Sequence, residues 1–121
     1  MSILRKAVTA AACFPKPQPE DGGWTWRFCF KADSAVFAGH FPGRPVLPAV
    51  VQLLMAQIAL EACGRHVNLS RVPQAKFMAP IEPGDDIVLF LSEGRRENVW
   101  ECTLRCGATV AARFQMENSS L

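Results

Sequence analysis

The chain reads as an α+β domain in which a curved antiparallel sheet wraps one apolar helix. Three observations point there. Residues 48–63 carry only Gln52, Gln57 and Glu61 as polar groups, and these share no single face, so the helix they form is apolar nearly all round and must be enclosed. Residues 24–31, WTWRFCFK, alternate apolar and polar side chains with the period of a half-buried strand. Beyond the helix, residues 87–92, 98–106 and 109–116 read as three more strands separated by EGRRE and by Gly107, the signature of antiparallel hairpins. A length of 121 residues fits one domain over 1–121 with a single core, close to the lower end of self-sufficiency. A sheet face left over from the wrapping, and open edge strands, then predict at least a dimer.

The elements follow in order. Residues 3–14 are modestly apolar, and the run after the basic pair Arg5-Lys6 is too weak for a signal peptide, which predicts a cytoplasmic protein. Residues 15–23, PKPQPEDGG, hold three prolines and two glycines and read as a loop. In the strand that follows, Trp24, Trp26, Phe28 and Phe30 share one face and Thr25, Arg27, Cys29 and Lys31 the other. Asp33 and Ser34 lead into a loop holding Gly39, His40, Pro42, Gly43, Pro45 and Pro48 within ten residues, so a titratable imidazole sits on a preset backbone. Pro48 is expected as the first helical residue, where its missing N–H has no intrahelical partner, and Gly64 as the C-terminal cap. The helix is too short for a membrane span and carries Glu61 near its end. Residues 65–70 are a polar connection, 72–78 a strand edged by Pro73, and 79–85 a tight turn. In the last two strands Trp100, Cys102, Leu104 and Cys106, then Val110, Ala112, Phe114 and Met116, form the apolar rows.

A net charge of +2, with no basic run longer than Arg95-Arg96, gives no electrostatic footprint for nucleic acid. The five cysteines are odd in number, lack C-x-x-C spacing and lie in apolar segments; they predict reduced, buried thiols and no metal site. Trp24, Trp26 and Trp100 read as packing residues, Gln52 and Gln57 as buried amides with hydrogen-bond partners, and His66 as a surface residue beside the helix C-terminus.

The segment FAGHFPGRPVLPAVVQLLMAQ (37–57) resembles the signature of the 3-hydroxyacyl-acyl-carrier-protein dehydratases, which have the hotdog fold. The later AKFMAPIEPGDDIVLFL (75–91) is similar to their second hallmark, a strand, a turn ending in PGD and a long strand, and the resemblance covers residues 24–116. The order H-F-P-G-x-P-V-x-P with its spacing is improbable by chance. The resemblance implies a dimer with each active site at the subunit interface, where a loop His of one chain meets a Glu or Asp on the central helix of the other. It implies that His40 removes a proton from C2 of an acyl thioester, while the carboxyl group protonates the departing 3-hydroxyl. The N–H of Ala49, where the family usually has Gly, would polarise the thioester carbonyl with help from the helix dipole. Phe41, Gly43, Arg44, Pro48, Gln52 and Leu54 are the accompanying substrate-binding positions. The substrate would be carried on the phosphopantetheine of an acyl carrier protein or CoA, with no cofactor, and Arg44, Arg71 and Lys76 are placed to meet its phosphate or an acidic carrier.

The resemblance breaks at one decisive position. The acid is expected fourteen positions after His40, at Leu54; aligning instead on Met55-Ala56-Gln57, with one residue deleted from the helix, puts it at Leu53. Neither donates a proton. Gln52 cannot act as an acid, and Glu61 lies roughly 10 Å beyond Leu54 along the helix axis. PVLPxVVQL without an inserted residue resembles the short dehydratase-like subunits of aryl-polyene and related lipid or polyketide pathways, some of which work with a second hotdog subunit. Two functions follow from this: a dehydratase whose acid arrives on another chain, homodimeric or heterodimeric, and a non-catalytic acyl-binding or structural hotdog subunit. A thioesterase of the same fold would need a carboxylate on or near this helix, and none is apparent.

Overall fold

The computed structural model describes residues 2–38, 43–69 and 71–119, so His40 and Phe41 lie outside the described residues. Helix α1, Ile3–Ala11, comes first, capped by the Ser2 hydroxyl accepting from the Arg5 N–H at 3.0 Å. Strands β1, Gln18–Glu20, and β2, Gly23–Phe28, follow as a hairpin. Next come a 3-10 turn at Ala35–Phe37, helix α2, Ala49–Ala62, and strands β3, Ala75–Phe77, β4, Ile87–Glu93, β5, Val99–Cys106, and β6, Thr109–Glu117. The six strands form one antiparallel sheet in the order β1-β2-β4-β5-β6-β3.

Period-two side chains turn this register into apolar rows that cross the sheet. One row runs Trp26, Leu89, Leu104, Ala112, Phe77, and the next Trp24, Leu91, Cys102, Phe114, Ala75. Above them α2 buries Met55, Ala56, Ala59 and Leu60 completely. A β-bulge at Leu104/Arg105 sets two steps on β6 against one on β5, leaving Ala111 extra. The Ala111 carbonyl then accepts from both Met78 and Ala79 N–H groups, at 2.8 and 3.1 Å, which ties the chain after β3 to the sheet. The α+β hotdog expected from the sequence is therefore present, with its helix laid on the inner face of the sheet.

Four expectations need correction. The segment 15–23 is not all loop: Asp21 and Gly22 both take positive φ, 32° and 77°, the backbone of a tight hairpin turn, and β1 pairs with β2. Pro19 is tolerated there because β1 is an edge strand and needs no inward donor. Strand β2 ends at Phe28 rather than Lys31, and the chain leaving α1 pairs with that end: an Ala12–Phe28 bridge is flanked by Cys13 N–H to the Arg27 carbonyl, 2.8 Å, and Cys29 N–H to the Ala11 carbonyl, 2.9 Å. Cys13 and Cys29 consequently sit on the exposed side of that bridge, and only Cys102 is fully buried, so the thiols are free but not uniformly interior. Finally, Pro48 has a helical φ of −63° with an extended ψ of 150°; it is the N-cap, and the helix begins at Ala49.

Gly64 does close α2, at φ +80°. Its N–H reaches the Glu61 carbonyl at 3.0 Å and the Arg65 N–H reaches Leu60 at 2.8 Å, the paired bonds of a Schellman cap. No described helix is long and apolar enough to cross a membrane.

Candidate active site

The loop before α2 delivers the helix N-terminus to the surface. Gly43 takes φ +84°, a left-handed value open to Gly, and Leu47 is pinned by its N–H to the Ile81 carbonyl at 2.8 Å. Pro48 offers no side-chain cap, and its carbonyl receives the Val51 and Gln52 N–H groups, each at 3.1 Å. No described residue accepts from the N–H groups of Ala49 or Val50, so two donors at the positive end of the helix dipole remain open. Ala49 borders a cleft of about 260 Å³ lined also by Val46, Leu47, Gln52, Phe77, Met78, Ala79 and Pro80. An oxyanion is the natural occupant of such donors. Arg44 points away into solvent, 78% exposed, with only a loose 3.9 Å ion pair to Glu82.

Gln52 is the one polar residue buried in the described core, at 4% exposure. Its Nε2 donates to the Leu47 carbonyl at 3.1 Å, while its Oε1 is buried without a donor. An unsatisfied buried group of this kind costs about 1–3 kcal/mol. Gln57 is half-buried rather than buried, but both ends of its amide are partnered: it donates to the Val67 carbonyl at 3.3 Å and accepts from Arg5 Nη2 at 3.2 Å.

The acid question turns on the faces of α2. Val50, Leu53, Gln57 and Glu61 follow one another at spacings of three or four and lie along one flank. Arg5 of α1 covers the far half of that flank, gripping Glu61 through two bonds of 2.8 and 2.9 Å as well as Gln57. The guanidinium holds the Glu61 carboxyl below the usual carboxylate range, against a smaller opposing effect of burial. An ionised, bidentate carboxylate is not a proton donor at neutral pH. The near half stays open: Val50 is 56% exposed and Leu53 only partly buried. Leu54, by contrast, is 9% exposed and packs into the chain's own core.

Elsewhere, burial raises the pKa of the Cys63, Cys102 and Cys106 thiols, which disfavours their thiolate forms. Among the described residues no group of His, Cys, Asp and Glu side chains has the arrangement to hold a metal ion. The Arg5 clamp was not foreseeable in the sequence, because Arg5 and Glu61 lie 56 positions apart and Arg5 carries no motif.

The family model described as ApeI-like, the ApeI dehydratase, matches residues 16–114. The chain belongs to the ApeI-like dehydratase family. Its curated relatives include the 3-hydroxyacyl-[acyl-carrier-protein] dehydratase FabZ of Verminephrobacter eiseniae, 38% identical over 77 residues, which are 54% of this chain and 51% of that protein. The FabZ of Sinorhizobium fredii is 30% identical over 95 residues, 71% of this chain and 60% of the relative. The chain thus spans about half the length of the first curated relatives it matches. Among solved structures, the dehydratase heterocomplex ApeI:P from Xenorhabdus doucetiae superposes with a TM-score of 0.72 at 20% identity, over 85% of this chain and 92% of that one. The E. coli PaaI protein, from the phenylacetic acid degradation operon, superposes at 0.65 with 15% identity, over 96% and 89%. These similarities bear out the dehydratase-like reading and the hotdog fold.

Proposed function

We propose that this ApeI-like chain is a subunit of a dehydratase acting on 3-hydroxyacyl thioesters, supplying the base and the carbonyl-binding donors but not the acid. The single observation that carries the reading is the uncapped start of α2, which leaves the N–H of Ala49 open beside a cleft that this residue lines. In the reaction, the thioester oxygen accepts from this N–H, which stabilises the enolate character that develops as His40 removes the C2 proton. The C3–O bond then breaks, the C2=C3 bond forms, and the hydroxyl leaves as water with a proton from the missing acid. By the family resemblance, Phe41, Gly43 and Pro48 are the substrate-binding positions that accompany His40 in the sequence. The acyl group arrives on the phosphopantetheine of an acyl carrier protein or CoA, and the exposed Arg44, Arg71 and Lys76 meet its phosphate or the acidic carrier. No further cofactor enters these steps, and the protein is cytoplasmic.

The acid comes from a second hotdog subunit, identical in fold and different in sequence, whose place a second copy of this chain takes in a purified sample. It docks on the edge strand β3 beside Val50, Phe77 and Met78, which are 56, 43 and 52% exposed. On this reading the slot for an acid in this chain is Leu53, on the open flank, rather than Leu54, which faces inward. A second reading, an acyl-binding subunit with no chemistry of its own, is favoured by the apolar pair Leu53 and Leu54. Assay of the purified chain alone on 3-hydroxybutyryl-pantetheine tests the proposal. Loss of a positioned acid predicts a rate about 10²- to 10⁴-fold below that of an ordinary enzyme. A turnover near the median of ~10 s⁻¹ would mean that the acid is already in this chain.

A further inference from the structure

Gln52 is an anomaly in an otherwise apolar helix interior. Its hydrogen bond to the Leu47 carbonyl fixes which end is which, since that carbonyl accepts only and the donor must be Nε2. Oε1 is therefore a committed acceptor, shielded from bulk water and without a described donor. The same side chain lines the cleft into which Ala49, three positions earlier, presents its free N–H. The cleft thus has the open donor of Ala49 on one wall and, about one helical turn away, a lone acceptor buried just behind its lining. A ligand that matches it must carry an acceptor and, a short distance off, a hydrogen-bond donor.

An acyl thioester supplies the acceptor as its carbonyl oxygen. On the acyl portion of a 3-hydroxyacyl thioester the only donor is the C3 hydroxyl, two carbons from that carbonyl. We infer that Gln52 Oε1 accepts the hydrogen bond of the substrate's 3-hydroxyl, making Gln52 the residue that distinguishes 3-hydroxyacyl thioesters from saturated, 2-enoyl and 3-oxoacyl ones. The inference rests on the proposed acyl site. Gln52 transfers no proton, because Nε2 is held at Leu47 and an amide is no acid. It turns the hydroxyl hydrogen toward itself, so the oxygen lone pairs point toward the side from which an acid must come. Met78, unbranched and exposed at the cleft, is the side chain that can move aside to admit the ligand.

The test is equilibrium binding of 3-hydroxybutyryl-pantetheine and of butanoyl-pantetheine to the full chain, followed by calorimetry. One neutral hydrogen bond predicts that the wild type prefers the hydroxyacyl probe by about three- to tenfold. Gln52→Met, which keeps length and removes the acceptor, should bring the ratio of the two affinities to about one. Gln52→Asn, which withdraws the oxygen by one methylene, should also lose the preference and serves if Gln52→Met does not fold. Equal binding of both probes by the wild type overturns the inference and leaves the acyl site standing. So does a variant that weakens both probes alike, which would assign Oε1 to the pantetheine amide, or one that only weakens subunit association, which would assign it to a partner's donor. Binding of neither probe overturns the acyl site and the inference together.

Discussion

Glu61 and Arg5 show how one contact decides a residue's chemistry. Read along the helix, Glu61 is a carboxylate near the place where an acid is wanted; in the fold, Arg5 holds it charged. A carboxylate with a depressed pKa contributes stability that is present above its unfolded value and is lost as pH falls through the folded value. Each side chain keeps 33% of its surface in water, so after screening the pair is worth about 0.5–1 kcal/mol. Arg5→Ala should therefore lower the thermal midpoint at pH 7 and have progressively less effect as the pH falls below about 4; an equal loss at both pH values would mean that Arg5 acts by packing alone. The two leucines separate in the same way. Leu54→Glu places an acid in the chain's own core and should cost about 1–3 kcal/mol or more, whereas Leu53→Glu, on the half-open flank, should cost less than about 1 kcal/mol. Urea unfolding of the two variants side by side checks this, and equal losses would contradict the assignment of faces.

At the scale of elements, α2 was readable because its signals agree: Pro48 before it, Gly64 after it, and scarcely a polar residue between. Gly64 is the position where that reading has a direct energetic test. At φ +80° a Cβ meets no atom within 4 Å, so the cost of Gly64→Ala is the left-handed backbone itself, about 1–2 kcal/mol by chemical denaturation. A neutral Gly64→Ala would remove the Schellman cap from the account. Strands β4 and β5 were legible for the same reason, a period of two that matches one buried face, whereas the strand expected over 72–78 shrinks to the exposed Ala75–Phe77. Less legible were β1 and the early end of β2. Three prolines outweighed the Asp21-Gly22 turn signal, and the segment that pairs with the end of β2 is the tail of a helix, a long-range contact with no local pattern. The flank of α2 was hidden too: composition says apolar all round, and only tertiary structure shows that Arg5 closes one half and leaves Val50 and Leu53 open.

For the whole molecule, the exposed Val50, Phe77 and Met78 beside an edge strand are a surface that a lone domain has no reason to keep. A purified sample should scatter light as a dimer at micromolar concentration, and Phe77→Lys with Met78→Lys should shift it to monomer without unfolding; a wild-type monomer would count against the interface. The HFPGRP motif was enough to suggest a base, while the acid could be looked for only by asking which helix face is open. The central claim is that this fold keeps a working base and carbonyl site around a missing acid. The most direct measurement is the dehydration rate of 3-hydroxybutyryl-pantetheine by Leu53→Glu, compared with wild type and with Leu53→Glu/His40→Ala, all three shown to be folded. The account predicts a rate at least about 10²-fold above wild type for Leu53→Glu, abolished by the second substitution. A folded Leu53→Glu protein with no gain, or with a gain that survives His40→Ala, would contradict it.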